Sequence, residues 1–166
     1  MSKKLDAVSS RGDTDEKYVA VTGIWRRYGL LFKDLINTYS FERALQHHIE
    51  ARTEIDAQII KSLKEKYTKL EIENYGTQLK ESYMKSGYAT EAKVTDNSVE
   101  IKLGLCPFYE GFTLAGISHD VIETVCVRTS QHQYDFFQSH YPEYEGIIEF
   151  RETADASCIE GFRLNK

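Results

Sequence analysis

The chain has 166 residues, 41% hydrophobic and 28% charged, which fits one globular domain with a single core. Its net charge of −5 argues against a nucleic-acid partner, because phosphate binding needs a basic footprint. No apolar run approaches the roughly 20 residues that span a bilayer. The densest basic cluster, Lys61, Lys64, Lys66 and Lys69, reads as a solvated helix face. Met1 to Asp15 has no apolar core of the kind a signal peptide needs. Three cysteines, Cys106, Cys126 and Cys158, are an odd count that argues against a disulfide framework. The expectation is a cytoplasmic protein with free thiols and no membrane partner.

Residues 1–14 read as a disordered tail and 15–166 as a single α+β domain. From Asp15 to Asn37, Tyr18, Val21, Trp25, Tyr28, Phe32 and Leu35 fall on one stripe, with Ile24 and Leu31 beside it, which predicts an amphipathic helix. Ser40 can cap a second helix running to about Tyr67, with Phe41, Leu45, Ile55, Ile59 and Leu63 as its buried stripe. A third helix covers Leu70 to Lys85 and stops at Gly87.

The period then changes to two. Ala92–Val94 and Val99–Leu103 flank an Asp96-Asn97 turn and predict a β-hairpin. Pro107 suits the first position of a short helix through Ala115, stopped by Gly116. A further helix covers Asp120 to His140, with a bend near Arg128, and Pro142 ends it. Ile147–Arg151 and Cys158–Leu164 predict two more strands. Three helices, a hairpin, two helices and a hairpin make an α+β fold. N-terminal helices should pack on one face of a small antiparallel sheet of about four strands. Trp25, Tyr28 and Phe32 widen the apolar band of the first helix into a candidate homodimer face.

Two places carry chemistry. On the second helix, His48 and Arg52 sit on the apolar stripe, Arg52 near its centre. A buried guanidinium is costly unless paired. Either an internal carboxylate meets it, or a cavity lies there and a ligand carboxylate does, two oxygens matching the guanidinium fork. The plainer alternative is a structural ion pair or a stem that snorkels to the core's edge. His47, His48, Glu50 and Glu54 lack the paired Glu-x-x-His of a di-iron bundle.

Cys106 is the second place. It stands at a strand end immediately before Pro107, where helix N-terminal amides favour thiolate and suit a nucleophile. His119 and Glu110 are the nearest base and orienter in sequence. The alternative is a packed, inert cysteine. Cys126, among Val121, Ile122 and Val125, reads as packing. Cys158 shares a strand face with Glu160, Phe162 and Leu164, and could meet the other two cysteines where sheet and helices join. With His119 they would form a four-ligand set of zinc type. There is no CxxC, so no metal or other cofactor is expected.

From Val99 to Leu164 the order is a strand, Cys106-Pro107-Phe108, Gly116, Cys126, a helix with Phe136-Phe137, His140-Tyr141-Pro142, a strand ending at Arg151, and Cys158 followed by Phe162 and Leu164. This resembles the L-2-amino-thiazoline-4-carboxylic acid hydrolase family, itself similar to 4-vinyl reductase type small-molecule-binding domains. The resemblance covers about 65 residues. Where that family has a glycine shortly before its final cysteine, this chain has Asp155 or Ala156. The resemblance implies hydrolysis of a non-peptide C–N or C–S bond in a small heterocyclic acid. Such domains also occur as tailoring enzymes in small-molecule pathways.

Two readings follow. In the first, Cys106 attacks an electrophilic ring carbon, His119 moves the proton with Glu110 as orienter, and Arg52, with His48 and Cys158 beside it, holds the substrate. In the second, the domain binds a small molecule without catalysis, in a pocket lined by some of its eight Phe and eleven Tyr residues.

Overall fold

The computed structural model describes residues 13–67, 71–85, 88, 91–153 and 156–165. The predicted tail lies almost wholly outside the described residues, as do Leu70, where the third helix was expected to begin, and Gly87, its expected stop. In chain order the elements are α1 (Asp13–Thr38), α2 (Phe41–Lys66), α3 (Ile72–Lys85), β1 (Glu91–Val94), β2 (Ser98–Leu103), α4 (Pro107–Leu114), α5 (His119–His140), β3 (Tyr144–Glu149) and β4 (Cys158–Leu164). This is the α+β class that the change of period predicts.

Local signals set the boundaries. The Ser40 hydroxyl caps α2 by accepting from the Arg43 N–H at 3.2 Å. Pro107 opens α4, and Gly116 stops it at a φ of 76°, a left-handed conformation that suits glycine. α5 runs as one helix through Arg128, whose guanidinium reaches out to Glu42 at 2.8 Å. β3 starts at Tyr144 and ends at Glu149, earlier at both ends than Ile147–Arg151. Pairing decides this, because Tyr144 already sits opposite Leu164.

The sheet is antiparallel, in the order β1-β2-β4-β3. Its register puts Val99, Ile101 and Leu103 opposite Phe162, Glu160 and Cys158. Opposed residues share a face. One face therefore carries an apolar row with a single carboxylate, Glu160, in its middle.

The interior is in two parts. Ile60, Leu63, Val99, Ile101, Phe137 and Phe162 belong to a core on the sheet. Phe32, Leu45, Phe112, Ile122 and Val125 belong to a second core, between the helices. α1 and α4 approach so closely that a Cβ on Gly111 would stand 2.6 Å from the Trp25 Cβ. Trp25 meets Phe108 edge to face at 5.1 Å, and Phe32 is fully buried. Of the three aromatic residues of the candidate dimer face, Phe32 belongs to the helical core and Trp25 and Tyr28 pack partly buried against it. Ile55 and Ile59 are corrected: they are 48% and 41% exposed rather than buried. The buried residues of α2 are Ala44, Leu45, His48, Ile60 and Leu63 instead.

Candidate functional site

Between the two cores the facing helices turn polar. On α2 the buried line through Leu45 continues as His48, Arg52 and Asp56 before Ile60 and Leu63 restore it. On α5 the line through Val125 continues as Cys126, Thr129, Ser130 and Gln133 before Phe137. Glu160 comes from the sheet at the same level. A gap remains there.

The gap has two chambers. The larger, of about 360 Å³, is lined by Trp25, His48, Arg52, Cys106, Phe108 and Cys126, among others. The smaller, of about 140 Å³, is lined by aromatic and aliphatic side chains, including Tyr75, Tyr134, Phe136, Phe137 and Phe162. Arg52, Ser130, Gln133 and Glu160 line both chambers and form the neck between them.

Cys106 is the N-cap of α4, and its sulfur accepts from the Tyr109 N–H at 3.4 Å. That bond and the Arg151 charge favour thiolate, as its position in the sequence suggests. Burial opposes them and is the larger effect, and it pushes the thiol up to about 11. The expected low thiol pKa is therefore overturned for the resting protein. Burial also lifts the Cys126 thiol.

His48 donates to or accepts from the Tyr28 hydroxyl at 2.8 Å, and burial, then the Arg52 charge, lowers its pKa to about 4. It lines the chamber as a neutral imidazole. Arg52 leans on Asp56 at 3.5 Å, and its buried Nε has no hydrogen-bond partner among the described residues. Asp56 accepts from Gln133 at 3.2 Å, and burial raises its pKa. Glu160 receives the Tyr83 hydroxyl at 3.2 Å, and burial raises its pKa against the opposing pull of that bond and of Arg52.

Arg52, His48 and Cys106 thus share one chamber, as do Cys126 and Glu160. Three expected site residues lie elsewhere. His119 bonds the Tyr109 hydroxyl through Nδ1 at 2.9 Å. The Arg151 guanidinium lies 4.6 Å from the centre of the Tyr109 ring and donates from Nε to the Cys158 sulfur at 3.3 Å. That network ties the segment after β3, the start of β4 and the start of α5 to Tyr109 of α4. His119 and Cys158 are consumed in it and line neither chamber. Glu110 lies toward α1, where its charge acts on Tyr18. The assignments of His119 and Glu110 as base and orienter, and of Cys158 as a binding residue, are therefore corrected.

Among the described residues no group of three or more His, Cys, Asp or Glu side chains gathers in a way that could hold a metal ion. Nor does any described helix have the length and apolar character to cross a membrane. Asp56, Ser130, Gln133 and Glu160 are missing from the residues that the sequence singles out. Glu160 had a signal: it is the one charge at a core position in the alternation Cys158, Glu160, Phe162, Leu164. No known protein family, curated protein sequence or solved structure matches the chain.

Proposed function

We propose that the chain is a cysteine-dependent enzyme that opens a small heterocyclic carboxylic acid, of amino-thiazoline-carboxylate type, in the larger chamber. The observation that carries this reading is that Cys106 and Arg52 line one chamber together with Glu160. Arg52 has an Nε that is ion-paired with Asp56 at 3.5 Å but makes no hydrogen bond among the described residues, and it has the adjacent space that a ligand carboxylate needs. Glu160 replaces His119 as the proton carrier. Its raised pKa makes it a stronger base than an exposed glutamate, and its charge already acts on the Cys106 thiol.

The thiol is protonated at rest, so its proton leaves during attack rather than before it. The Cys106 sulfur bonds to the electrophilic ring carbon as the C=N π pair moves onto nitrogen, while the thiol proton passes to Glu160. Glu160 then protonates the departing ring heteroatom as its bond to that carbon breaks and the nitrogen pair re-forms the C=N bond. Water adds to the same carbon, the C–S bond to Cys106 breaks as a C=O bond forms, and the two water protons go one to the Cys106 sulfur and one to the nitrogen.

The raised thiol pKa also favours a second reading, in which the chamber binds its ligand without reacting. One experiment separates the two. The chain is incubated with 2-amino-thiazoline-4-carboxylate, ring opening is followed by proton NMR, and binding is followed by calorimetry. Turnover that Cys106→Ala abolishes with binding intact supports the enzyme. Arg52→Lys keeps the charge but loses the planar fork, and should weaken binding by about 1–3 kcal/mol. Binding without turnover supports the second reading. The absence of both overturns the two together.

A further inference from the structure

The smaller chamber has no role in the reaction just described, yet it opens from the same neck. Its walls are those of a core: Tyr75 stacks on Phe137 with ring centres 5.6 Å apart, and Phe137 meets Phe162 at 4.5 Å. Tyr134 stands edge-on to Phe162 at 5.1 Å. Ile60 and Ile101, which also line it, are buried. A space of about 140 Å³ between such groups forfeits the dispersion contacts that a filled core would make. Arg52, Ser130, Gln133 and Glu160 lie at the neck, while Ile60, Ile101, Phe136, Phe137 and Phe162 make a part of the wall whose side chains offer water no hydrogen-bond partner.

We propose that the ligand has two parts. A carboxylate-bearing head lies in the larger chamber, between Arg52 and Cys106, and an aryl or branched-alkyl appendage passes the neck into the aromatic chamber. This rests on the proposed placement of a carboxylate near Cys106. A bare five-membered ring acid would leave the aromatic chamber empty. Flat ring faces and edges on the walls suit an aryl group, which can meet them in offset or edge-on contact.

The probes are N-iodoacetylglycine and N-iodoacetyl-phenylalanine, which share a carboxylate and a reactive carbon and differ by a benzyl group. Alkylation forms a bond from the Cys106 sulfur to the probe's CH2 as the C–I bond breaks, iodide leaves, and the thiol proton goes to solvent. Rates at Cys106 are read on the full chain at pH 9 by peptide mass mapping over a range of probe concentrations. Both probes should saturate, with the phenylalanine compound reaching half its maximal rate at a concentration about tenfold lower. Ile60→Phe adds a ring to the aromatic chamber and should bring that ratio toward one. If thermal unfolding shows that this variant does not fold, Phe136→Trp makes the same test from another wall. Equal half-saturation of the two probes overturns the two-part ligand and leaves the carboxylate site standing. No saturation with either probe overturns the carboxylate site, and this inference with it.

Discussion

Glu160→Gln should make the protein more stable at pH 8 and leave its stability nearly unchanged at pH 4. Glu160 faces the core at a register position opposite Ile101 on one strand and Ile148 on the other. Burial raises its pKa above the ordinary 4.5, and the Tyr83 hydroxyl and the Arg52 charge only partly offset that. The folded protein therefore binds this proton more tightly than the unfolded chain does. Below the unfolded pKa the group weighs equally on both states. As pH rises through the folded value, folding must pay for a buried charge, and each unit between the two pKa values removes about 1.4 kcal/mol of stability. Glutamine keeps an acceptor for Tyr83 and carries no charge. A gain of about 1–3 kcal/mol at pH 8 is expected from relieving a buried ion. Urea titrations of both proteins at pH 4, 6 and 8 measure it. Asp56, whose pKa is also raised, and His48, whose pKa is lowered, act in both proteins and largely cancel in the difference. A gain that is flat between pH 4 and 8, or a loss at pH 8, would refute the reasoning. A stability gain joined to lost reactivity at Cys106 is the pattern of a carboxylate kept for function.

Iodoacetamide labelling of Cys106 should climb about tenfold per pH unit from 7 to 10, because the thiol lies at about 11; a plateau near neutrality would mean a stabilised thiolate. The His48 imidazole should stay neutral down to about pH 5 and titrate near 4 in proton NMR, whereas a midpoint near 6.5 would place the ring in solvent. Because its folded pKa is depressed, His48 adds a stability loss as pH falls from 6.5 toward 4. Gly111→Ala should lower the urea midpoint by an amount worth about 1–3 kcal/mol, its Cβ falling 2.7 Å from the Arg26 backbone nitrogen; a neutral result would contradict the close approach of α1 and α4.

Elements whose ends carry their own signals were legible in the sequence. Ser40, Pro107 and Gly116 mark boundaries by local chemistry, and the structure places helix ends there. β3 was less so, because its start at Tyr144 depends on pairing with Leu164, twenty residues on in the chain. The same distinction applies to Trp25, Tyr28 and Phe32. Their stripe shows that one face of α1 is apolar, but not whether α4 or a second chain covers it. That α4 lies there depends on Gly111, an unmarked glycine in a short helix, having no side chain to keep α1 away.

The site itself was legible only where a single residue broke a stripe strongly. Arg52 did so, and so did Cys106, by its place before Pro107. Cys126, Thr129, Ser130 and Gln133 break the stripe of α5 weakly, since small polar residues are common on buried helix faces. Their meaning appears only when α2 and α5 face each other and the two polar stretches coincide with Glu160. A gap that needs interruptions on three separate elements to coincide has no one-dimensional signature.

Arg151, which is buried, and Arg52, whose side chain is 38% exposed but whose Nε is buried, show what then separates a structural group from a binding one. Arg151 looked like the end of a strand, yet it is 3% exposed, and its guanidinium is taken up by the Leu103 carbonyl, the Cys158 sulfur and the Tyr109 ring. Arg52 has Asp56 only at 3.5 Å, a buried Nε with no hydrogen-bond partner among the described residues, and open space beside it. Leaving a donor unsatisfied in a folded interior costs about 1–3 kcal/mol, which a purely structural arginine has no reason to bear. The same argument explains why His119 and Cys158 drop out while His48 and Cys106 stay. The first pair is bonded into the Tyr109 and Arg151 network away from both chambers. The second pair keeps a surface on the larger chamber, where the Arg52 Nε has no hydrogen bond beyond its ion pair with Asp56 and Glu160 can carry a proton.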